Sequence, residues 1–151
     1  DTWSKEVLNG FAMRLGAAAV FPSDRPYQPF QQWAKRAEGL SASPLGLLIH
    51  PQYGLWQAFR GALLFDREIK FPRRKRVSHP CNICLDKPCL SACPVNAFDG
   101  AGFAAERCRD YLSSSGFECL DRGCKARLAC PVGREHAYLQ EQQRFHMAAF
   151  I

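Results

Sequence analysis

Apolar positions recur at helical spacing in several stretches of the chain. In residues 5 to 20 (KEVLNGFAMRLGAAAV), Val7, Leu8, Phe11, Leu15 and Ala18 form one stripe, which predicts a packing helix weakened by Gly10 and Gly16. A proline-rich loop from Phe21 to Phe30 follows, then a short helix from about Gln31 to Glu38 that Gly39 ends. Gly54 to Phe65 (GLWQAFRGALLF) reads as a second amphipathic helix, with Leu55, Trp56, Phe59 and Leu63 turned towards a core. Leu45 to Ile49 is apolar but too short to assign. Near the end, Ala137, Tyr138, Glu141, Arg144 and Phe145 suit a terminal helix within Arg134 to Ile151. The pattern predicts a mainly α chain with irregular loops: a small helical N-terminal lobe with a basic linker over residues 1–78, then a second domain over 79–151.

The 151 residues are 47% hydrophobic and 23% charged, enough to bury a core and unlike a disordered or collagen-like chain. No window reaches the roughly 18 to 20 uncharged apolar residues of a membrane-spanning helix, since Phe11 to Phe21 is short and broken by Arg14. A cytoplasmic protein without a membrane span is expected. The first residue is Asp1, not methionine, which leaves room for a signal or a further domain upstream.

All eight cysteines fall between Cys81 and Cys130, a clustering that points to metal. Residues 1–80 hold 12 Lys and Arg against 6 Asp and Glu, whereas residues 81–151 hold 8 against 8, so the net +6 lies in the first part. Lys70 to Arg76 (KFPRRKR) has five basic residues in seven. Such a run reads first as a solvated linker. As a functional surface it would steer an acidic redox partner or neutralise phosphates, and no nucleic-acid recognition motif accompanies it. Lys70, Arg73, Arg74, Lys75, Arg76 and Lys87 are the candidates for docking an acidic partner.

The first cysteine run, Cys81-Asn-Ile-Cys84-Leu-Asp-Lys-Pro-Cys89-Leu-Ser-Ala-Cys93-Pro94, has the form C-x2-C-x4-C-x3-C-P. In the bacterial two-cluster pattern, three closely spaced thiolates wrap one cubane and the fourth, followed by proline, ligates the other. Here the second gap is four residues where that pattern has two, which enlarges a loop and leaves the C-x3-C-P end intact. The second run, Cys108, Cys119, Cys124 and Cys130-Pro131, has gaps of ten, four and five residues and also ends in Cys-Pro. Four plus four cysteines is the number that two 4Fe-4S clusters require. Crossing the Cys-Pro residues assigns Cys81, Cys84, Cys89 and Cys130 to one cluster and Cys93, Cys108, Cys119 and Cys124 to the other, with exchange of Cys108 and Cys119 between roles left open. With such clusters bound, the net charge would fall from +6 to about +2.

Structural zinc would pair one C-x2-C with another or with histidine, and the second pair is missing. Disulfides would require an oxidising compartment. His50, His79, His136 and His146 are read as structural. Loops with few apolar residues draw folding energy from bound metal, so residues 81–130 are expected to lose order without it.

The run from Cys81 to Pro131, with Arg107-Cys108-Arg109-Asp110-Tyr111-Leu112 inside it, resembles the two-cluster ferredoxin module of epoxyqueuosine reductase and, more distantly, of corrinoid reductive dehalogenases. Ile49-His50-Pro51-Gln52-Tyr53-Gly54-Leu55-Trp56 through Leu63-Leu64-Phe65-Asp66 is similar to the segment before the clusters in those families, so the resemblance covers roughly residues 47 to 131. It departs where Arg127 stands three residues after Cys124, in place of a C-x2-C pair. The first 46 residues are too few for the cobalamin domain, so neither corrinoid nor catalytic acid carries over. What the resemblance implies is an α-helical ferredoxin-type module with two low-potential 4Fe-4S clusters. The expected function is single-electron transfer to or from a redox partner, with no catalytic residue and no small-molecule substrate identified. The alternatives are an iron-sulfur fragment or subunit of an epoxyqueuosine-reductase-like reductase, with or without a corrinoid elsewhere, and nucleic-acid binding with the clusters as staples.

Overall fold

In a computed structural model, the described residues are 1–71, 78–99 and 102–151. The fold is mainly helical with two small sheets. It divides into two units: Asp1–Gly39 with Ala58–Arg76, and Leu40–Gln57 with Val77–Ile151. This division differs from a boundary at residue 78 in one segment, because Leu40–Gln57 packs with the cysteine region. Leu45, Ile49 and Leu55 share a core there with Cys89, Cys93, Ala97, Ala126 and Cys130.

In the first unit, α1 (Thr2–Leu15) ends at Gly16 in the left-handed conformation, where the Ala17 amide donates to the Ala12 carbonyl. Ala18, expected on the helical stripe, instead opens β1 (Ala18–Val20). α2 (Phe30–Glu38) follows Pro29 and stops at Gly39.

Gly54 to Phe65 is not a helix. Gly54 takes φ 57 and closes a tight turn with His50, each donating its amide to the other's carbonyl at 2.9 Å. Past this turn the backbone stays irregular, and Ala62–Leu64 forms a strand that pairs antiparallel with β1, Ala19 opposite Leu63. Leu55 and Trp56 are buried, as a helical reading would place them, but Phe59 is exposed. The apolar spacing was shared by two elements with different partners, so a single-segment helical reading could not separate them.

In the second unit, Ser41–Ala42 (β2) pairs with Leu48–Ile49 (β3), and the strand paired with β1 is β4. The short helices α3 (Pro88–Ser91) and α6 (Lys125–Leu128) pack on each other, and α5 (Phe117–Arg122) packs on α7 (Gln140–Ala148). Elements of four residues are far too short to be stable alone, so packing holds them. α4 (Ala105–Ser114) precedes α5. The terminal helix starts at Gln140; Ala137 and Tyr138 lie before it, after a one-turn 3-10 helix at Arg134–His136. Asp121 ties α5 to α7 by accepting from Gln140 and Arg144. Among the described residues, no helix is long and apolar enough to cross a membrane.

Candidate metal centres

The eight cysteines are unpaired thiols that line two separate hollows. Cys81, Cys84, Cys89 and Cys130 line the first, with Leu45, Ile49 and Leu55 behind them and Lys87 at the side. Cys93, Cys108, Cys119 and Cys124 line the second, with Phe98, Leu112 and Met147 around them. Each Cys-Pro cysteine thus lies across from the run it belongs to. Both leave their hollow in the same way. Cys93-Pro94-Val95 is followed by Asn96 at φ 48, and Cys130-Pro131-Val132 by Gly133 at φ 67. Proline has no amide to donate and the left-handed residue reverses the chain. This Cys-Pro-Val repeat is visible in the sequence and marks where the two runs trade partners.

Local structure positions the thiols. His79 Nδ1 accepts from the Cys81 amide at 3.2 Å and so caps the one-turn 3-10 helix Pro80–Asn82. Cys89 lies in α3, Cys108 in α4 and Cys119 in α5, while Cys124 is the residue on which α6 begins. The Ala97 amide donates to Cys93 Sγ at 3.3 Å, and Ala97 is fully buried.

The electrostatics follow the same grouping. Burial pushes the Cys81 thiol up, then Cys130, Cys89 and Cys84, with Lys87 opposing. Burial raises Cys89 too, followed by Cys130 and Cys84, against its own amide and that of Leu90. In the second quartet burial, then Cys124, Cys93 and Cys119, push Cys108 from 9.0 up to about 11. Burial raises Cys124 as well, while the amides of Arg127 and Ala126 pull it down. The thiols that raise one another belong to the same quartet. Cys81, Cys89, Cys108 and Cys124 are therefore costly to ionise without a compensating positive charge.

Among the described residues, no three His, Cys, Asp or Glu side chains stand close enough to hold a single metal ion. None of the four histidines lines either hollow. His50 Nδ1 accepts from the amides of Gln52 and Tyr53, His136 meets the Tyr53 ring edge at 5.0 Å, and His146 stacks on Tyr138 at 5.3 Å. Of the docking candidates, Lys87 is exposed beside the first hollow with φ 40, and Lys70 is exposed in the first unit. Arg73, Arg74, Lys75 and Arg76 lie outside the described residues.

Sequence reasoning did not single out Arg127 as a contact centre. Its guanidinium lies 4.5 Å from the Trp56 ring centroid and 4.7 Å from that of Tyr138, and Nη2 donates to the Leu55 carbonyl. These partners are about 70 residues upstream and about ten downstream, beyond any local pattern.

Compared with known proteins, the chain matches no family model, no curated protein and no solved structure.

Proposed function

We propose that the protein is an electron carrier holding two 4Fe-4S clusters, one in each cysteine quartet, in an α-helical ferredoxin-type module. The observation that carries this reading is the pair of separate hollows, each walled by four thiols and apolar side chains. When bound, such a cluster supplies one-electron exchange and needs four thiolates at its iron corners. The donor set fits that need in number and chemistry. A tetrahedral zinc site would instead draw its ligands onto one ion.

The chain's own residues set the terms of that exchange. Amides of Ala97, Leu90, Ala126 and Arg127 direct partial positive charge at Cys93, Cys89 and Cys124, which stabilises negative charge on those sulfurs. Leu45, Ile49 and Leu55 give the first hollow an apolar wall, and Phe98, Leu112 and Met147 give the second one. Lys87, exposed at the edge of the first hollow, suits contact with an acidic redox partner. No residue in this reading acts as catalytic acid, base or nucleophile.

Anaerobically purified protein is expected to contain about eight iron and about eight acid-labile sulfide per chain. Dithionite should then give EPR signals of two magnetically coupled reduced cubanes. Zinc without sulfide would overturn the reading. A corrinoid chromophore in the same preparation would move it to the reductase-subunit alternative.

A further inference from the structure

Cys81, Cys84 and Cys89 reach the first hollow on one short stretch of chain in which Asn82, Ile83, Leu85, Asp86 and Lys87 are all exposed. Ile83 is 79% exposed and Leu85 89%, the highest value among the large apolar side chains of the described residues. Leu85 and Lys87 stand in the gap of four residues between Cys84 and Cys89, where the bacterial pattern has two. A residue before proline ordinarily keeps extended backbone, yet Lys87 takes φ 40 and ψ 56 before Pro88 and lines the hollow. The second hollow is built differently, with Leu112 of α4, Cys119 of α5, Ala126 of α6 and Met147 of α7 around it. Its lysine, Lys125, is paired with Glu118 at 2.6 Å, whereas among the described residues no carboxylate pairs with Lys87.

Apolar side chains held in water and a side chain on costly backbone are both unfavourable in the isolated protein, and both fall on the stretch that carries three thiols of one quartet. An interface between proteins has that composition, an apolar centre with a polar rim. We propose that the first hollow holds the cluster that exchanges electrons with the redox partner, and that residues 82–88 dock on a one-electron redox protein whose apolar contact face is bordered by carboxylates. This inference rests on the two-cluster reading. Ile83 and Leu85 leave water when the partner seats on them, and the unpaired Lys87 meets a carboxylate at the rim. Asp86 keeps the stretch close to neutral, so apolar contact supplies most of the binding and Lys87 sets its orientation. The partner's redox centre is thereby brought to the first hollow and not to the second.

The probe is a flavodoxin, an acidic one-electron flavoprotein, mixed anaerobically with the loaded protein in the direction that the measured potentials allow, so that one side loses the electron that the other gains. Iron, sulfide and midpoint potentials are measured first for wild type, the double variant Ile83→Gln/Leu85→Gln, Lys87→Gln and Phe117→Gln. Phe117 is the control, since it is 77% exposed two residues before Cys119 of the second quartet. With iron and potentials unchanged, the double variant is expected to exchange electrons about tenfold more slowly than wild type, and Phe117→Gln at the wild-type rate. Lys87→Gln should be about threefold slower at low ionic strength and equal to wild type in high salt. A loaded double variant at the wild-type rate would overturn the inference, as would Phe117→Gln slowed as much as the double variant, which would move the port to the second hollow. Loaded wild type that exchanges no electrons with flavodoxin would overturn the partner chemistry, and a double variant that loads no iron would make the stretch part of the cluster's enclosure and not a docking surface. Wild type without iron and sulfide would remove the two-cluster reading itself, before any rate was compared.

Discussion

Cys93→Ser is expected to strip iron from the second quartet and Cys130→Ser from the first, although each cysteine closes the opposite run in sequence. Each variant should keep about half of the wild-type iron and lose the magnetic coupling between reduced clusters. The reason lies in where the two Cys-Pro cysteines stand. Cys93 shares a hollow with Cys108, Cys119 and Cys124, and Cys130 with Cys81, Cys84 and Cys89. Serine keeps the size of the side chain but is a far weaker ligand to iron than a thiolate. The decisive comparison is with Cys84→Ser. If the quartets are crossed, Cys84→Ser and Cys130→Ser leave the same residual spectrum, and Cys93→Ser leaves the other one. Matching spectra for Cys84→Ser and Cys93→Ser would mean that each run serves its own cluster.

The second large effect concerns two glycines that no cysteine pattern would pick out. Gly54 at φ 57 and Gly133 at φ 67 bring two stretches of backbone into direct contact behind the first hollow. A Cβ on Gly54 would fall on the carbonyl of Val132, and one on Gly133 would lie 2.5 Å from the Tyr53 carbonyl carbon and 2.6 Å from the Gly54 nitrogen. Neither obstacle is the end of a flexible side chain. Alanine there adds a left-handed penalty of about 1 to 2 kcal/mol to an overpacking cost of about 1 to 3 kcal/mol. Gly54→Ala and Gly133→Ala are each expected to lower stability by about 3 kcal/mol or more. Gly46→Ala separates the two contributions, since Gly46 has φ 76 but nothing within 4 Å of its Cβ. It should cost no more than the left-handed penalty alone. Urea titration of the three variants checks the order, and a Gly46→Ala loss as large as the others would refute the contact argument.

The parts of the site written in local spacing were legible in the sequence. Cys81, Cys84 and Cys89 are close along the chain, and the two Cys-Pro ends announce a change of direction. The choice between Cys108 and Cys119 was not legible, because α4 and α5 set their positions and the ten intervening residues carry no pattern of their own. Gly54 to Phe65 misled for a related reason. Its apolar residues keep helical spacing, yet Leu55 and Trp56 pack in one unit while Ala62–Leu64 answer to β1 in the other. The clamp around Arg127 joins Leu55, Trp56 and Tyr138 from distant positions, and only the folded chain brings them together.

The exchange of Cys93 and Cys130 between runs also makes the two halves indivisible. Neither Cys81–Pro94 nor Cys108–Pro131 contains a full set of four for one hollow, so neither could be inherited, transplanted or switched off by itself. The smallest transferable piece must span both runs and bring Leu40–Gln57 along, because Leu45, Ile49 and Leu55 wall the first hollow. In the two-cluster reading, a damaged thiol in one half therefore also unloads a hollow that the other half helps to line.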